Sequence, residues 1–132
     1  QYDRMIKNVT NTYNLHTGLL PEYGGTNILD YTIKHKEKEQ GLTLHKITET
    51  LDYGPIVSKI TYPVLDTDRA FDLYKRVMLL SPNFVLSSLD ILKQMQEEDI
   101  QKLQMAKPTI YKRGEFNLSN EFVNLIGELN ER

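Results

Sequence analysis

The chain has 132 residues, 39% hydrophobic and 26% charged, with a formal net charge of −2. This is one domain's worth of ordinary globular composition, and its lysines and arginines are too scattered to mark a nucleic-acid surface. The absence of cysteine removes disulfides, thiolate catalysis and cysteine metal ligands and fits a reducing, cytoplasmic setting, while no apolar run or signal sequence points to a membrane.

In chain order, Val9 to Leu15 alternates weakly and reads as a short strand ending in the polar triplet Asn14-Leu15-His16. A Pro/Gly-rich loop runs to Gly25, and Thr26 or Asn27 caps a helix carrying Ile28, Leu29, Tyr31, Thr32 and Ile33 and ending near His35-Lys36. The charged run Lys36 to Gln40, closed by Gly41, reads as a solvated turn. Leu42 to Ile47 alternates with period two as a half-buried strand, and Ile56 to Val64 is the clearest strand in the chain. The loop between them ends in the turn formers Asp52-Tyr53-Gly54-Pro55, so the two strands should pair as an antiparallel hairpin.

Asp66 or Thr67 is the expected cap of a long helix through Ala70, Phe71, Leu73, Tyr74, Val77, Met78 and Leu80. Pro82 predicts a break, with Ser81 capping a second helix that carries Phe84, Val85, Leu86, Leu89, Ile91 and Leu92 to about Met95. Gln96 to Gln104 extends it or adds a turn, Ala106 to Lys112 is extended, and Glu121 to Leu129 is an amphipathic helix. The pattern is α/β, with few strands, like half of a sheet covered by helices on both faces.

Three polar residues are candidates for chemistry: Asn14 and His16 at a strand end, and Asp52 in the hairpin loop. An imidazole with an ordinary pKa of roughly 6.5 serves as acid or base near neutrality. A nearby carboxylate holds its tautomer, and a side-chain amide stabilises a developing oxyanion. Taken singly, each has an ordinary structural explanation: a satisfied histidine, a turn-capping asparagine, an aspartate in a turn. No acidic partner is spaced to make His35 or His45 a metal ligand, so no metal is expected. Glu49 lies too early to rival Asp52, and Arg69, Lys75 and Arg76 read as a solvated helix flank.

The run Asn14-Leu15-His16-Thr17-Gly18-Leu19-Leu20-Pro21 with Gly25 resembles the Asn-x-His-x-Ser-Leu-Leu-Pro-x-x-x-Gly signature of the folate-dependent formyltransferases. Gly41-Leu42-Thr43-Leu44-His45 is similar to that family's Thr-Gly-Val-Thr-x-His strand, and Leu51-Asp52-Tyr53-Gly54-Pro55-Ile56 to its Asp-x-Gly-x-Ile loop. All three agree in order and separation over about residues 9–65. The resemblance implies a partial Rossmann-like formyltransferase domain, here with a β-hairpin and long C-terminal helices, and transfer of a formyl group from formyltetrahydrofolate to a primary amine. Asn14 would then hold the formyl oxygen, His16 would stabilise and protonate the tetrahedral intermediate, and Asp52 would orient His16 and help remove the amine proton. Thr48, Glu49, Leu51, Tyr53 and Gly54 would border the folate. Thr17, Gly18, Leu19, Tyr23, Gly24 and Gly25 would face the acceptor, with Tyr23 and Tyr53 lining the crevice.

Departures from the pattern fall on the acceptor side: Gly18 replaces the usual Ser, and Gly24 stands where many members have Arg. Val77-Met78-Leu79-Leu80-Ser81-Pro82 is too apolar to hold a phosphoribosyl group as purine-pathway members do, and no basic barrel follows to serve a transfer RNA. A sugar-nucleotide amine is the acceptor left by elimination. The family's N-terminal βαβ half has no counterpart, so residues 1–106 are expected to be the C-terminal half of a catalytic domain from a longer enzyme. Residues 107–132 would be an extended tail ending in the amphipathic helix. An exposed sheet edge makes a homo-oligomer plausible. The other readings are a formyltetrahydrofolate hydrolase and a non-catalytic formyltransferase-like binding or assembly domain.

Overall fold

A computed structural model of the chain describes residues 12–103 and 105–112. In chain order these contain β1 (Tyr13–His16), β2 (Gly24–Gly25), α1 (Ile28–Lys34), β3 (Glu39–Lys46), β4 (Ile56–Pro63), α2 (Ala70–Gln94), α3 (Glu97–Gln101) and β5 (Ile110–Tyr111). The start of the expected first strand and the expected terminal helix lie outside the described residues.

β3 is the centre of a three-stranded antiparallel sheet ordered β1-β3-β4, and β3 and β4 form the expected hairpin. Side chains alternate across it. On one face Tyr13, Leu15, Leu42, Leu44, Ile60 and Tyr62 pack with Leu73, Val77 and Phe84 of α2 in a single apolar cluster. On the other, Thr43 takes the loop that follows β1: its hydroxyl donates to the Gly18 carbonyl at 2.8 Å and accepts the Leu20 N–H at 3.1 Å.

This double cover corrects the expectation of a half-buried strand. Residues 40 to 45 of β3 are all buried, because α2 closes one face and the loop closes the other. Gln40 does not belong to a solvated turn either. It lies in β3 fully buried, accepting the Leu19 N–H at 2.7 Å and donating to Thr32 Oγ1 at 2.7 Å. Those bonds satisfy its amide, which makes the burial tolerable. The turn proper is Lys36 to Lys38, with Lys36 at φ 54°.

α1 starts at Asn27 as expected and ends at His35. Ile28 and Tyr31 point into a second, aromatic cluster, whereas Leu29 and Ile33 pack on the first. α2 departs from expectation twice. Its N-cap is Arg69, whose backbone N–H is accepted by Asp72 at 2.9 Å, and not Asp66 or Thr67. Pro82 lies inside one continuous helix. The proline forfeits one backbone bond, but Val77 before it and Phe84 and Ser88 after it are buried on one face, and Ser88 Oγ meets Ser58 Oγ at 2.6 Å. Packing on both sides of Pro82 therefore holds the helix through it. Several residues expected on its apolar face are exposed: Met78, Leu86, Leu89 and Ile91 turn away from the sheet.

The long strands are all antiparallel. The parallel pairing among the described residues is the two-residue match of Gly24 with Ile110 and Gly25 with Tyr111.

Candidate active site

The register of β1 on β3 sets Asn14 opposite His45 and His16 opposite Thr43, on the face away from the apolar cluster. The hairpin loop then folds Asp52 back against them. Thr48 Oγ donates to the Tyr53 carbonyl within this loop, and Asp52 adopts φ 53° while only 6% exposed. A buried carboxylate in the left-handed region is a strained placement of the kind that functional sites retain.

Asp52 Oδ1 lies 3.7 Å from His16 Nδ1 and 3.7 Å from His45 Nε2, and its other oxygen accepts the Gly25 N–H at 2.8 Å. His16 Nε2 donates to the Tyr23 carbonyl at 2.5 Å. Since a carbonyl only accepts, the bond to Lys46 O at 3.2 Å puts the hydrogen of neutral His45 on Nδ1. Its Nε2 is then the acceptor for Asn14 Nδ2 at 3.3 Å. Burial pushes the His45 pKa down, against the pull of the Lys46 carbonyl and the Asp52 charge and with the help of neighbouring His16. One carboxylate thus faces two buried imidazoles, one of them holding the amide of Asn14.

Asn14, His16 and Asp52 are brought together, and His45 joins them. Sequence reasoning set His45 aside as a metal candidate. The signal for it was its place at the end of the strand motif Gly41 to His45, two residues after Thr43, which puts it on one sheet face with Thr43 and, through pairing, with Asn14. Leu51 and Glu49 are exposed on the outer part of the hairpin loop, and Thr48, Tyr53 and Gly54 form its inner turn.

Tyr23 does not line a crevice with its ring. It is 5% exposed and stacks on Tyr111 at 5.2 Å, and its hydroxyl pairs with His35 Nδ1 at 2.9 Å. The two acceptor-side glycines have packing reasons. A Cβ on Gly18 would stand 2.7 Å from Ile28 Cγ2, and one on Gly24 would stand 2.8 Å from Ile110 Cδ1 and 3.0 Å from the Thr109 carbonyl. The space that a Ser or Arg side chain would leave Cα to enter is taken by Ile28 of α1 and by residues 108–110. Thr17 is exposed and Leu19 half-buried.

A cavity of about 530 Å³ lined by Thr32, Lys36, Lys38, Val64, Leu65 and Asp66, among others, shares no lining residue with this cluster. It holds none of Asn14, His16, His45 and Asp52, and the convergence on Asp52 marks the site better than concavity does. Arg76 forks onto Asp68, with Nη2 2.9 Å from Oδ1, and Arg69 and Lys75 both approach Asp72. These cations are engaged along the helix start.

Comparison with known proteins bears on what such a cluster does. The chain is 31% identical over 85 residues to the methionyl-tRNA formyltransferase of Streptococcus pyogenes, matching 64% of this chain and 27% of that protein. It spans about a quarter of the length of the curated relatives it matches, so a missing barrel says nothing about the acceptor. Among solved structures it resembles WlaRD, a sugar 3N-formyl transferase crystallised in the presence of dTDP and 5-N-formyl-THF. That match has TM-score 0.57 and 26% identity, over 80% of this chain and 38% of that one. It also resembles glycinamide ribonucleotide transformylase 1 of Symbiobacterium toebii, with TM-score 0.61 and 25% identity over 74% of this chain and 45% of that one. The fold is accordingly α/β, a partial Rossmann-like formyltransferase domain. Among the described residues no helix is long and apolar enough to cross a membrane. The model of the formyl transferase family matches residues 3–89, and with the motifs above it makes this chain a member of that family.

Proposed function

We propose that the protein containing this chain transfers a formyl group from formyltetrahydrofolate to a primary amine, with Asn14, His16 and Asp52 as its catalytic residues. The observation that carries the reading is the single buried carboxylate of Asp52 facing His16 and His45 at 3.7 Å each, with Asn14 beside them. The amine nitrogen attacks the formyl carbon, and Asn14 Nδ2, which has a second hydrogen beyond the one given to His45, stabilises the oxyanion. His16 protonates the intermediate as the bond from the formyl carbon to the folate nitrogen breaks, and Asp52 accepts the proton lost by the amine. Substrate must displace the Tyr23 carbonyl from His16 Nε2, because both ring nitrogens already face oxygen.

Formyltetrahydrofolate enters as co-substrate because WlaRD was crystallised with a formylated folate. The inner turn Thr48, Tyr53 and Gly54, with Glu49 and Leu51 outside it, borders it. The acceptor is proposed to be a sugar-nucleotide amine, a class supported by WlaRD, which acts on a sugar. Residues 1–106 are proposed as the C-terminal half of the catalytic domain.

The test is turnover of formyltetrahydrofolate by the intact protein with amino-sugar nucleotides, methionyl-tRNA or water alone as acceptor. His16→Ala and Asp52→Ala are each expected to lower kcat by about 10²- to 10⁴-fold. Variants that keep full turnover would remove both residues from the chemistry. Equal turnover without any amine would make the enzyme a hydrolase.

A further inference from the structure

Residues 107–112 come from a distant part of the chain, yet they are bound to the loop that carries the site. Thr109 N–H donates to the Pro21 carbonyl at 2.9 Å, Gly24 N–H to the Thr109 carbonyl at 2.7 Å, and Thr26 N–H to the Tyr111 carbonyl at 3.0 Å. Tyr31 adds its hydroxyl to the Lys112 carbonyl at 3.2 Å. Successive N–H groups of an extended strand point to opposite sides. With the N–H groups of Gly24 and Thr26 both given to this segment, that of Gly25 must point the other way. There it meets Asp52 Oδ2 at 2.8 Å. Gly25 sits at φ 93°, and a Cβ there would run into the Tyr111 backbone, so glycine is what allows the close approach.

We propose that residues 107–112 are a positioning strap for the catalytic carboxylate: by pinning β2 they aim the Gly25 amide at Asp52, which fixes Asp52 between His16 and His45. This rests on the formyl-transfer reading for its consequence on rate, though not for its geometry. The strap's bonds to the loop are made by its backbone. Its side-chain anchor is the Tyr111 ring, 5.2 Å from Tyr23, 4.4 Å from Tyr31 and 5.6 Å from His35. Tyr111 is therefore a positioning residue that touches no reacting atom and acts through Gly25 and Asp52.

The experiment compares Tyr111→Ala and Tyr111→Phe in the intact protein by two readouts. Amide hydrogen exchange at Gly25 should accelerate at least about tenfold in Tyr111→Ala and stay near the parent rate in Tyr111→Phe, which keeps the ring. In turnover, Tyr111→Ala should lose about ten- to a hundredfold in kcat with KM for the formyl donor changed less than about twofold, and Tyr111→Phe should restore it. Unchanged Gly25 exchange in Tyr111→Ala would overturn the strap whatever the enzyme does. So would a fall in kcat that follows only the loss of folded protein, with no difference per folded molecule. If the parent protein shows no formyl transfer, the functional reading fails by itself, and the exchange readout still decides the strap.

Discussion

The two faces of the small sheet are built on different terms. One is closed by aliphatic packing: Leu42, Leu44, Val64, Leu73, Val77 and Phe84 with Tyr62 form a cluster held by a hairpin and one long helix. The other is closed by a loop, and its order comes from hydrogen bonds of Thr43, Lys59 and Asp52 to loop backbone. The small cluster of Tyr23, Ile28 and Tyr31, capped by Tyr111, seals that loop from outside. The first face supplies stability without direction, since apolar burial scales with area. The second supplies direction, because each hydrogen bond fixes an atom, and it is there that Asn14, His16, His45 and Asp52 are aimed. α1 serves both, with Leu29 and Ile33 on the first cluster and Ile28 and Tyr31 in the second.

The sharpest way to separate the faces is to damage the first alone. Leu73 is fully buried in the aliphatic cluster, and Leu73→Ala should cost about 2–5 kcal/mol of stability through lost burial and the cavity left behind. Urea unfolding would read the loss. The kcat per folded molecule should stay close to the parent's, because Leu73 reaches the site only through the sheet. A large fall in kcat at full folding would show the two faces to be coupled.

Periodicity made the first face legible. The alternation of Leu42 to Ile47, the run Ile56 to Val64 and the turn between them gave the hairpin, and the helical spacing of Leu73 and Val77 gave the helix that covers it. The motifs named Asn14, His16 and Asp52, and these converge. What escaped was non-local. Gln40 hides in a charged run because its partners, Leu19 and Thr32, are outside its own strand. Pro82 reads as a stop because local rules cannot see Val77, Phe84 and Ser88 all buried on one side of the helix. His45 becomes a site residue through its register with Asn14, and the strap through a two-residue pairing of Gly24 and Gly25 with Ile110 and Tyr111. Nothing in the Ala106 to Lys112 run announces that partner.

A smaller effect distinguishes the faces by pH. Burial lowers the His45 pKa below its ordinary 6.5, so between the two values the unfolded chain holds more protons than the folded one. Stability then rises with pH through that window and is lost as pH falls through it. The groups facing the ring are Asp52, His16, Asn14 and the Lys46 carbonyl. The urea midpoint should drop between about pH 7 and pH 5, and His45→Gln should flatten that part of the profile. The carboxylates of Asp68 and Asp72, held low chiefly by hydrogen bonds from Arg76 and from the Arg69 backbone, lose their contribution only at lower pH, below the ordinary aspartate range. An unchanged slope in His45→Gln would move the cause away from this ring.

The aliphatic face contains one polar atom out of character, and it gives the smallest predicted effect. The Tyr62 hydroxyl is buried with no hydrogen-bond partner among the described residues, and its pKa is pushed up to about 12, mainly by burial. A donor desolvated without a partner costs free energy, whereas the ring around it packs well against the cluster. Tyr62→Phe removes the hydroxyl and keeps the ring. It should therefore leave stability unchanged or raise it by up to about 1 kcal/mol, read as a small rise in the urea midpoint. The same kind of deletion at Thr43, whose hydroxyl bonds both Gly18 and Leu20, would instead free the loop. A hydroxyl is dispensable on the face built by area and costly on the face built by direction, so a clear loss of stability in Tyr62→Phe would mean that the first face, too, depends on an aimed bond.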